Sequence, residues 1–315
     1  VQPDPADRHL GQRLQQVVQL GPAREIVAIG GEVLRDQVQL HRASRCEPVR
    51  LDEDVRDGPA ALEAALLADP GITHAALVYS ETATGICHDV PALAAAAGRA
   101  GRRVIVDAVS AFGALPLDLG ALPMVDSVAF TSNKCIEGLP GAAFTVARVD
   151  SLLAGAGRAA SWSLDLADIY QHGLRVGTGS HRFTPSAQAL AAFDAALDLF
   201  DAEGGRSARL ARYTANMQTL YDGVRALGLR PCLPLDVQGP IVLNVHAPAD
   251  PAWDLQAFVD ALKARGVLIS NFYNTEAPSF RLGCIGAVTP DDMRRALAAM
   301  AGALADIGVH MRKAA

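Results

Sequence analysis

The sequence lacks a block of basic residues: its 315 residues include 28 Lys and Arg against 34 Asp and Glu, which gives a net charge of -6. Without a basic patch to meet phosphates, we do not expect a nucleic-acid partner. No apolar run is long enough to span a bilayer, so we expect no membrane association. The first residues, VQPDPADRHLGQR, lack the basic-then-apolar pattern of a secretory signal, which favours a cytoplasmic location.

Cysteine is scarce and scattered. None of the cysteines forms a CxxC pair or a zinc-type spacing, which predicts reduced thiols and no metal centre. Cys135 lies beside Lys134, but no His or Asn pattern supports a nucleophilic cysteine. The five cysteines are Cys46, Cys87, Cys135, Cys232 and Cys284.

What the chain does contain is a regular alternation of apolar, β-branched runs with Ala/Leu-rich helical stretches. Nearly continuous apolar strands alternating with helices predict an α/β domain with a mainly parallel sheet covered on both faces. The predicted strands are 25–30, 74–80, 102–108, 126–132 and 142–148, with helices over 57–69 and 89–101.

The second part of the chain has a different pattern. A long helical region over 186–227 is interrupted at Glu203-Gly204-Gly205, and a smaller α+β unit follows. We therefore predict a large domain over 1–203 and a small C-terminal domain over 204–315. The predicted elements after the break are strands 240–247, 267–272 and 279–286 and helices 254–266 and 290–307.

Polar residues follow three of the predicted parallel strands, and binding sites in such sheets lie at the carboxyl ends of strands. Asp107 is the last residue of one apolar strand. Its carboxylate could cap the following loop, or it could pair with a protonated heterocycle. Lys134 follows another apolar strand. Its side chain could extend into solvent, or its amine could form a covalent bond with a carbonyl group. Together they suggest pyridoxal phosphate, which is anchored by a lysine and whose pyridine nitrogen is held protonated by an aspartate. Lys134 lies 27 positions after Asp107, on a later strand end, which fits that demand.

Five stretches carry a resemblance to a known family: SETATG, VDAVSAFGALPLDL, TSNKCIEGLPG, HRFTPS and FRLGCIG. They resemble the class-V aminotransferases of fold type I. The likeness runs from about Glu25 to the C-terminus and thus covers most of the chain. The lysine motif with its flanks is fairly specific, whereas the aspartate alone is not.

The resemblance implies catalytic roles for Lys134 and Asp107. Lys134 would hold the cofactor covalently and move the proton between the substrate Cα and the cofactor C4′. Asp107 would pair with the pyridine nitrogen. Thr82 would lie near the phenolic oxygen of the cofactor, and Ser132 would contribute to phosphate binding. Taken alone, Thr82 and Ser132 are also compatible with ordinary turn residues.

The resemblance also implies a homodimer with shared active sites. Thr184 would reach the cofactor phosphate of the neighbouring subunit, although a threonine before Pro185 can simply cap the next helix. Arg281 would hold the acidic group of the substrates through its bidentate guanidinium, although a strand arginine is more often a surface ion pair. The Gly-rich stretch 171–186 is interpreted as a loop and a candidate mobile flap, and His172 is expected to be an ordinary surface-loop residue.

One expected segment is not found. Family members hold the cofactor phosphate on a Gly/Ser/Thr-rich turn that opens a helix. Leu10 to Leu20 resembles the helix before that region and 24–34 the strand after it, but only Gly21-Pro22-Ala23 lie between. Either the given sequence omits N-terminal and phosphate-loop segments, or the gene is truncated. The first is favoured, because a strand–helix unit cannot be removed from a sheet without exposing its core.

The resemblance implies transfer of an amino group from 2-aminoethylphosphonate, or a close aminophosphonate, to pyruvate, giving phosphonoacetaldehyde and alanine. Residues 270–274 depart from the pattern before the arginine strand, where a Pro-Gly-Lys-type turn is expected. That departure leaves open a different donor. The alternatives are an alanine or serine–glyoxylate type of transaminase, an aminophosphonate lyase, or a degenerate fold without catalysis.

Overall fold

The computed structural model describes residues 58–159, 161–177, 179–270 and 277–310, together with the backbone of 26–29. Its larger sheet has five strands in the order β1-β2-β3-β4-β5. Four are parallel, and β5 runs antiparallel to β4. The strands are β1 Ile26–Ile29, β2 His74–Val78, β3 Arg103–Asp107, β4 Val125–Thr131 and β5 Ala143–Ala147.

Among the described residues, one α-helix lies between β1 and β2 and another between β2 and β3, whereas the segment between β3 and β4 has only a short 3₁₀ helix, Leu119–Ala121. The second described helix begins after Asp89, whose carboxylate accepts a hydrogen bond from the backbone N–H of Ala92 at 3.0 Å, and Pro91 lies in its first turn. On the edge strand, Phe144 stacks between Phe130 and Phe193 with centroid distances of 5.2 and 4.6 Å. The helices are α1 Gly58–Ala68, α2 Val90–Arg99, α3 Val149–Ala154, α4 Leu166–Val176 and α5 Ala187–Glu203.

A second, two-stranded antiparallel sheet lies further along the chain, made of β6 Val242–His246 and β7 Ser279–Gly283. Its helices are α6 Gly205–Ala226, α7 Leu255–Ala264 and α8 Pro290–Asp306. Apolar side chains of all five elements form one buried core, in which Phe258 and Phe280 meet edge to face at 5.1 Å. The helix α8 begins with a capping box between Thr289 and Asp292.

The chain divides into two compact units. The first contains the described residues up to Tyr79, then Asp89–Val109 and Pro116–Leu199. The second contains Ser80–His88, Ser110–Leu115 and the described residues from Phe200 onwards. The second unit thus takes in two short segments that follow strands β2 and β3 in the sequence. The boundary between residues 203 and 204 remains a prediction.

The five predicted strands of the large sheet and the two helices predicted over 57–69 and 89–101 are confirmed. The helical break is also found, because α5 ends at Glu203 and Gly204 adopts a φ of 110° before α6 begins. Two predictions are wrong. No strand forms over residues 267–270, because the N–H of Val267 bonds back to the carbonyl of Leu262 at the end of α7. The stretch 171–176, predicted as loop, is the second half of α4, so His172 lies on a helix.

None of the helices within the described ranges is long and apolar enough to cross a membrane. The predicted phosphate-loop gap and the departure at 271–274 lie outside the described residues.

Candidate active site

Asp107 is the last residue of β3, in the middle of the parallel sheet. Its backbone is level with Val78 of β2 and with Ala129 of β4. Its carboxylate is half-buried, and Oδ1 accepts a hydrogen bond from the N–H of Val109 at 2.9 Å. This bond to the following turn fixes the carboxylate. No residue in the described ranges donates to its second oxygen, Oδ2, which leaves that atom to accept from a ligand nitrogen.

Lys134 lies in the turn that follows β4, the parallel neighbour of β3. The turn is tied at both ends, since the N–H of Glu137 donates to the carbonyl of Lys134 at 2.9 Å and the N–H of Gly138 donates to that of Ser132 at 2.8 Å. Glu137 adopts a φ of 64°, a left-handed conformation unusual for a residue with a side chain. The half-buried Lys134 is therefore presented from a rigid turn at the carboxyl edge of the sheet, the same edge that carries Asp107.

Ser132 shapes this turn from the inside. It is fully buried, and its hydroxyl donates to the carbonyl of Leu139 at 2.6 Å, with a longer contact to that of Ala142. The hydroxyl thus closes the loop that holds Lys134. The phosphate-binding role of Ser132 stays a prediction, beside this observed role in the turn.

Thr184 lies in the segment that leads into α5 and is exposed on the single chain. The neighbouring Arg182 is held by Asp168 at 2.5 Å and by the carbonyls of Trp162 and Ser163. Thr184 therefore lies in a segment that is held in place by hydrogen bonds. Its contact with the cofactor phosphate of a neighbouring subunit stays a prediction.

The second unit holds the other two predicted site residues, Thr82 and Arg281. Arg281 lies on β7, half-buried, and its Nη1 donates to the carbonyl of Thr82 at 2.8 Å. Its Nη2 lies 3.4 Å from the hydroxyl of Ser270. Burial lowers the pKa of this guanidinium, and the charge of Glu81 acts in the opposite direction. Arg281 is therefore a partly desolvated cation, the state in which an arginine binds an anion strongly.

Two buried amides that sequence reasoning missed hold the loop of Thr82. The Nδ2 of Asn244, on β6, donates to the carbonyl of Ala83 at 3.1 Å. The Nε2 of Gln238 donates to the carbonyls of Gly85 at 3.1 Å and Val242 at 2.8 Å. An asparagine inside the apolar run PIVLNVHA was the available signal, because a buried polar side chain requires partners.

Gly85 closes this loop, and its replacement by alanine is expected to destabilise the protein. Gly85 has a φ of 92°, and an added Cβ would lie 2.7 Å from the carbonyl oxygen of Val242. We expect Gly85→Ala to lower the free energy of unfolding by more than about 2 kcal/mol, measured by urea denaturation. Gly266→Ala is the control, because Gly266 has a φ of 78° with nothing within 4 Å of its Cβ position. It should cost only about 1 kcal/mol. If both variants lost the same free energy of unfolding, the contact between the added Cβ and the carbonyl oxygen of Val242 would not contribute to the cost.

A lysine and an aspartate at the ends of adjacent parallel strands fit pyridoxal phosphate, since one supplies the amine and the other an acceptor for the ring nitrogen. Among the described residues, no cluster of His, Cys, Asp and Glu could hold a metal ion. Together with the α/β sheet, this donor set defines the class: a pyridoxal-phosphate-dependent enzyme of fold type I.

Comparison with known proteins agrees with this class. The model of the family described as "Aminotransferase class-V" matches residues 35–270. A 2-aminoethylphosphonate–pyruvate transaminase of Burkholderia ambifaria (strain MC40-6) is 46% identical over 261 residues, which cover 83% of this chain and 69% of that protein. The 2-aminoethylphosphonate–pyruvate transaminase 1 of Burkholderia lata is 43% identical over 262 residues, 83% of this chain and 70% of its own. The chain belongs to the class-V aminotransferase family, and it is a pyridoxal-phosphate-dependent aminotransferase.

Solved structures share the fold at low sequence identity. Pyridoxamine–pyruvate aminotransferase from Mesorhizobium loti has a TM-score of 0.78 at 24% identity, covering 95% of this chain and 78% of that one. Ureidoglycine–glyoxylate aminotransferase from Bacillus subtilis has a TM-score of 0.75 at 19% identity, covering 98% and 80%. At these identities the likeness describes the fold alone.

Proposed function

We propose that this aminotransferase moves the amino group of 2-aminoethylphosphonate, or of a close aminophosphonate, to pyruvate. The products are phosphonoacetaldehyde and alanine. The observation that carries the proposal is the similarity to the Burkholderia 2-aminoethylphosphonate–pyruvate transaminases, which are 43–46% identical over more than four fifths of this chain. A half-buried arginine on β7 supports it, because both substrates carry an anionic group.

Lys134 and Asp107 carry the chemistry in this proposal. Bound pyridoxal phosphate supplies an electron sink for breaking the bond to hydrogen at the substrate Cα. Lys134 would hold the cofactor covalently in the resting enzyme and would serve as the base that moves the proton between the substrate Cα and C4′. Asp107 would pair with the ring nitrogen through its second carboxylate oxygen and would favour the protonated form of that nitrogen. Its Oδ1 bond to Val109 keeps the carboxylate in place.

Arg281 is the proposed anchor for the phosphonate of the donor and, in the second half of the reaction, for the carboxylate of pyruvate. Its planar fork suits both anions. Thr82, Ser132 and Thr184 are proposed cofactor contacts, to the phenolic oxygen and to the phosphate. All three roles rest on the family resemblance.

We also propose a homodimer. Several large apolar side chains are exposed along residues 162–183, including Trp162, which is 64% exposed, and Leu174, which is 66% exposed. A second copy would cover them, and Thr184 adjoins this stretch. Sedimentation velocity should then give twice the chain mass of 33.0 kDa. A cytoplasmic location is also part of the proposal, on the small number and wide scatter of the cysteines in the sequence.

Product analysis tests the proposed reaction. The purified protein, loaded with pyridoxal phosphate, is incubated with 2-aminoethylphosphonate and pyruvate, and amino acids, aldehyde and ammonia are quantified. Equal amounts of alanine and phosphonoacetaldehyde are expected. Ammonia without alanine would replace the proposal with a lyase. Alanine formed from other amino donors but not from the phosphonate, or turnover with glyoxylate alone, would indicate a different class-V transaminase.

A further inference from the structure

One peptide group of the second unit lies between two charged side chains. The carbonyl of Thr82 accepts a hydrogen bond from Nη1 of Arg281 at 2.8 Å. The N–H of Ala83, at the other end of the same peptide group, donates to Oε1 of Glu81 at 2.9 Å. A cation and an anion are thus joined through a single peptide group, and each hydrogen bond polarises the next.

Glu81 is itself deeply buried, with 4% of its surface exposed. A carboxylate at that depth is costly unless a cation and hydrogen-bond donors compensate it. The positive charge of Arg281 stabilises the buried carboxylate of Glu81. In the same way, the negative charge of Glu81 stabilises the guanidinium of Arg281. Arg281 can therefore stay half-buried before any substrate anion is present.

The loop does not depend on the charge of Glu81 for its shape. The carbonyls of Ala83 and Gly85 are held by the amides of Asn244 and Gln238. The backbone of Glu81 also bonds to Ile86 and Gly85, each at 2.9 Å. A glutamine at position 81 could still accept from Ala83 through its amide oxygen. The charge at position 81 can thus be removed while the local structure is kept.

We propose that Glu81 is a positioning and specificity-determining residue, which holds Arg281 on the Thr82–Ala83 peptide group and competes with substrate anions for it. This rests on the proposed function of Arg281 as the anion anchor. A substrate anion bound to Arg281 is also repelled by the nearby Glu81 carboxylate, so the site binds anions less tightly than it would without that charge. Coulomb repulsion from Glu81 scales with the charge of the ligand. Its effect on a doubly charged phosphonate is therefore about twice, in free energy, its effect on a carboxylate.

The test uses ligands that cannot react, because they lack the amine and the keto group. Ethylphosphonate and propionate are titrated into the cofactor-loaded enzyme by calorimetry, at a pH where the phosphonate carries two charges. We expect Glu81→Gln to tighten propionate binding about threefold and ethylphosphonate binding about tenfold. Glu81→Asp keeps the charge and shortens the reach to Ala83, so both affinities should stay within about twofold of the wild type.

Arg281→Gln separates this inference from the proposed function. If Arg281→Gln binds ethylphosphonate as the wild type does, Arg281 is not the anchor and both ideas fail. If it loses binding but Glu81→Gln binds unchanged or more weakly, only the role of Glu81 is overturned. An equal gain for both ligands, or a gain in Glu81→Asp, would also overturn it. Should Glu81→Gln fail to fold, as judged by circular dichroism, a gain of affinity in Glu81→Asp would still overturn the role of Glu81.

Discussion

Replacing Lys134 by alanine is expected to lower the transamination rate by more than about a thousandfold. The variant loses the amine that holds the cofactor and the base that moves the proton at the substrate Cα. The side chain lies half-buried on a turn tied by Ser132 and Gly138, so alanine removes the amine without removing those ties. The rate is measured as alanine formed from pyruvate under single-turnover conditions.

A second readout does not depend on activity. The sequence contains only three lysines, Lys134, Lys263 and Lys313, so a covalent link to the cofactor can be assigned without ambiguity. Borohydride reduction of the loaded wild type should leave the cofactor mass on the peptide containing Lys134, and the variant should carry none. Lys263→Ala is the matched control, because Lys263 is exposed on the last turn of α7. Label on Lys263, or an active Lys134→Ala, would contradict the assignment.

The carboxyl edge of the large sheet could be predicted from the sequence because its signal is local. An apolar strand that ends in a single charged residue identifies the edge, and alternation with helices orders the strands. Asp107 and Lys134 were predicted in this way, and the structure places Asp107 at the end of β3 and Lys134 in the turn after its parallel neighbour β4. The chemistry of the two residue types then suggested the cofactor.

The loop around Thr82 could not be predicted in the same way, because its partners are distant in sequence. Arg281 is 199 positions from Thr82, and Asn244 is 161 positions from Ala83. No local pattern encodes which carbonyl a strand arginine will contact. The role of Glu81 could not be predicted either, since its charged partner is apparent only once the second unit is folded.

Local propensity also misled at two places. The segment VLIS, 267–270, has the composition of a strand, but strand propensity requires a neighbouring strand, and its first N–H instead ends helix α7. The glycines near 171–186 suggested a loop, yet Asp165 caps α4 by accepting from the N–H groups of Ala167 and Asp168. The N-cap at Asp165 therefore favours the helix α4 more strongly than the glycines disfavour it.

The remaining large effect is expected at Asp107. Asp107→Asn keeps Oδ1 as the acceptor for Val109, so the turn after β3 should survive. It removes the negative charge that favours protonation of the ring nitrogen. A hydrogen bond to a charged group contributes up to about 3 kcal/mol, so we expect the transamination rate to fall on the order of a hundredfold. The rate and the affinity for the cofactor are both measured, the latter by fluorescence titration of the unloaded protein.

Asp118→Asn is the control for the local geometry. The carboxylate of Asp118 accepts from the N–H of Gly120 at 2.9 Å, the same two-residue contact that Asp107 makes with Val109, but at an exposed site before a short 3₁₀ helix. If both variants keep the wild-type rate within twofold, Asp107 has only a turn-forming role. If both lose rate equally, the effect belongs to the fold. A loss confined to Asp107→Asn, with the protein still folded, requires the charge at the end of β3, because the turn-forming acceptor is present in that variant.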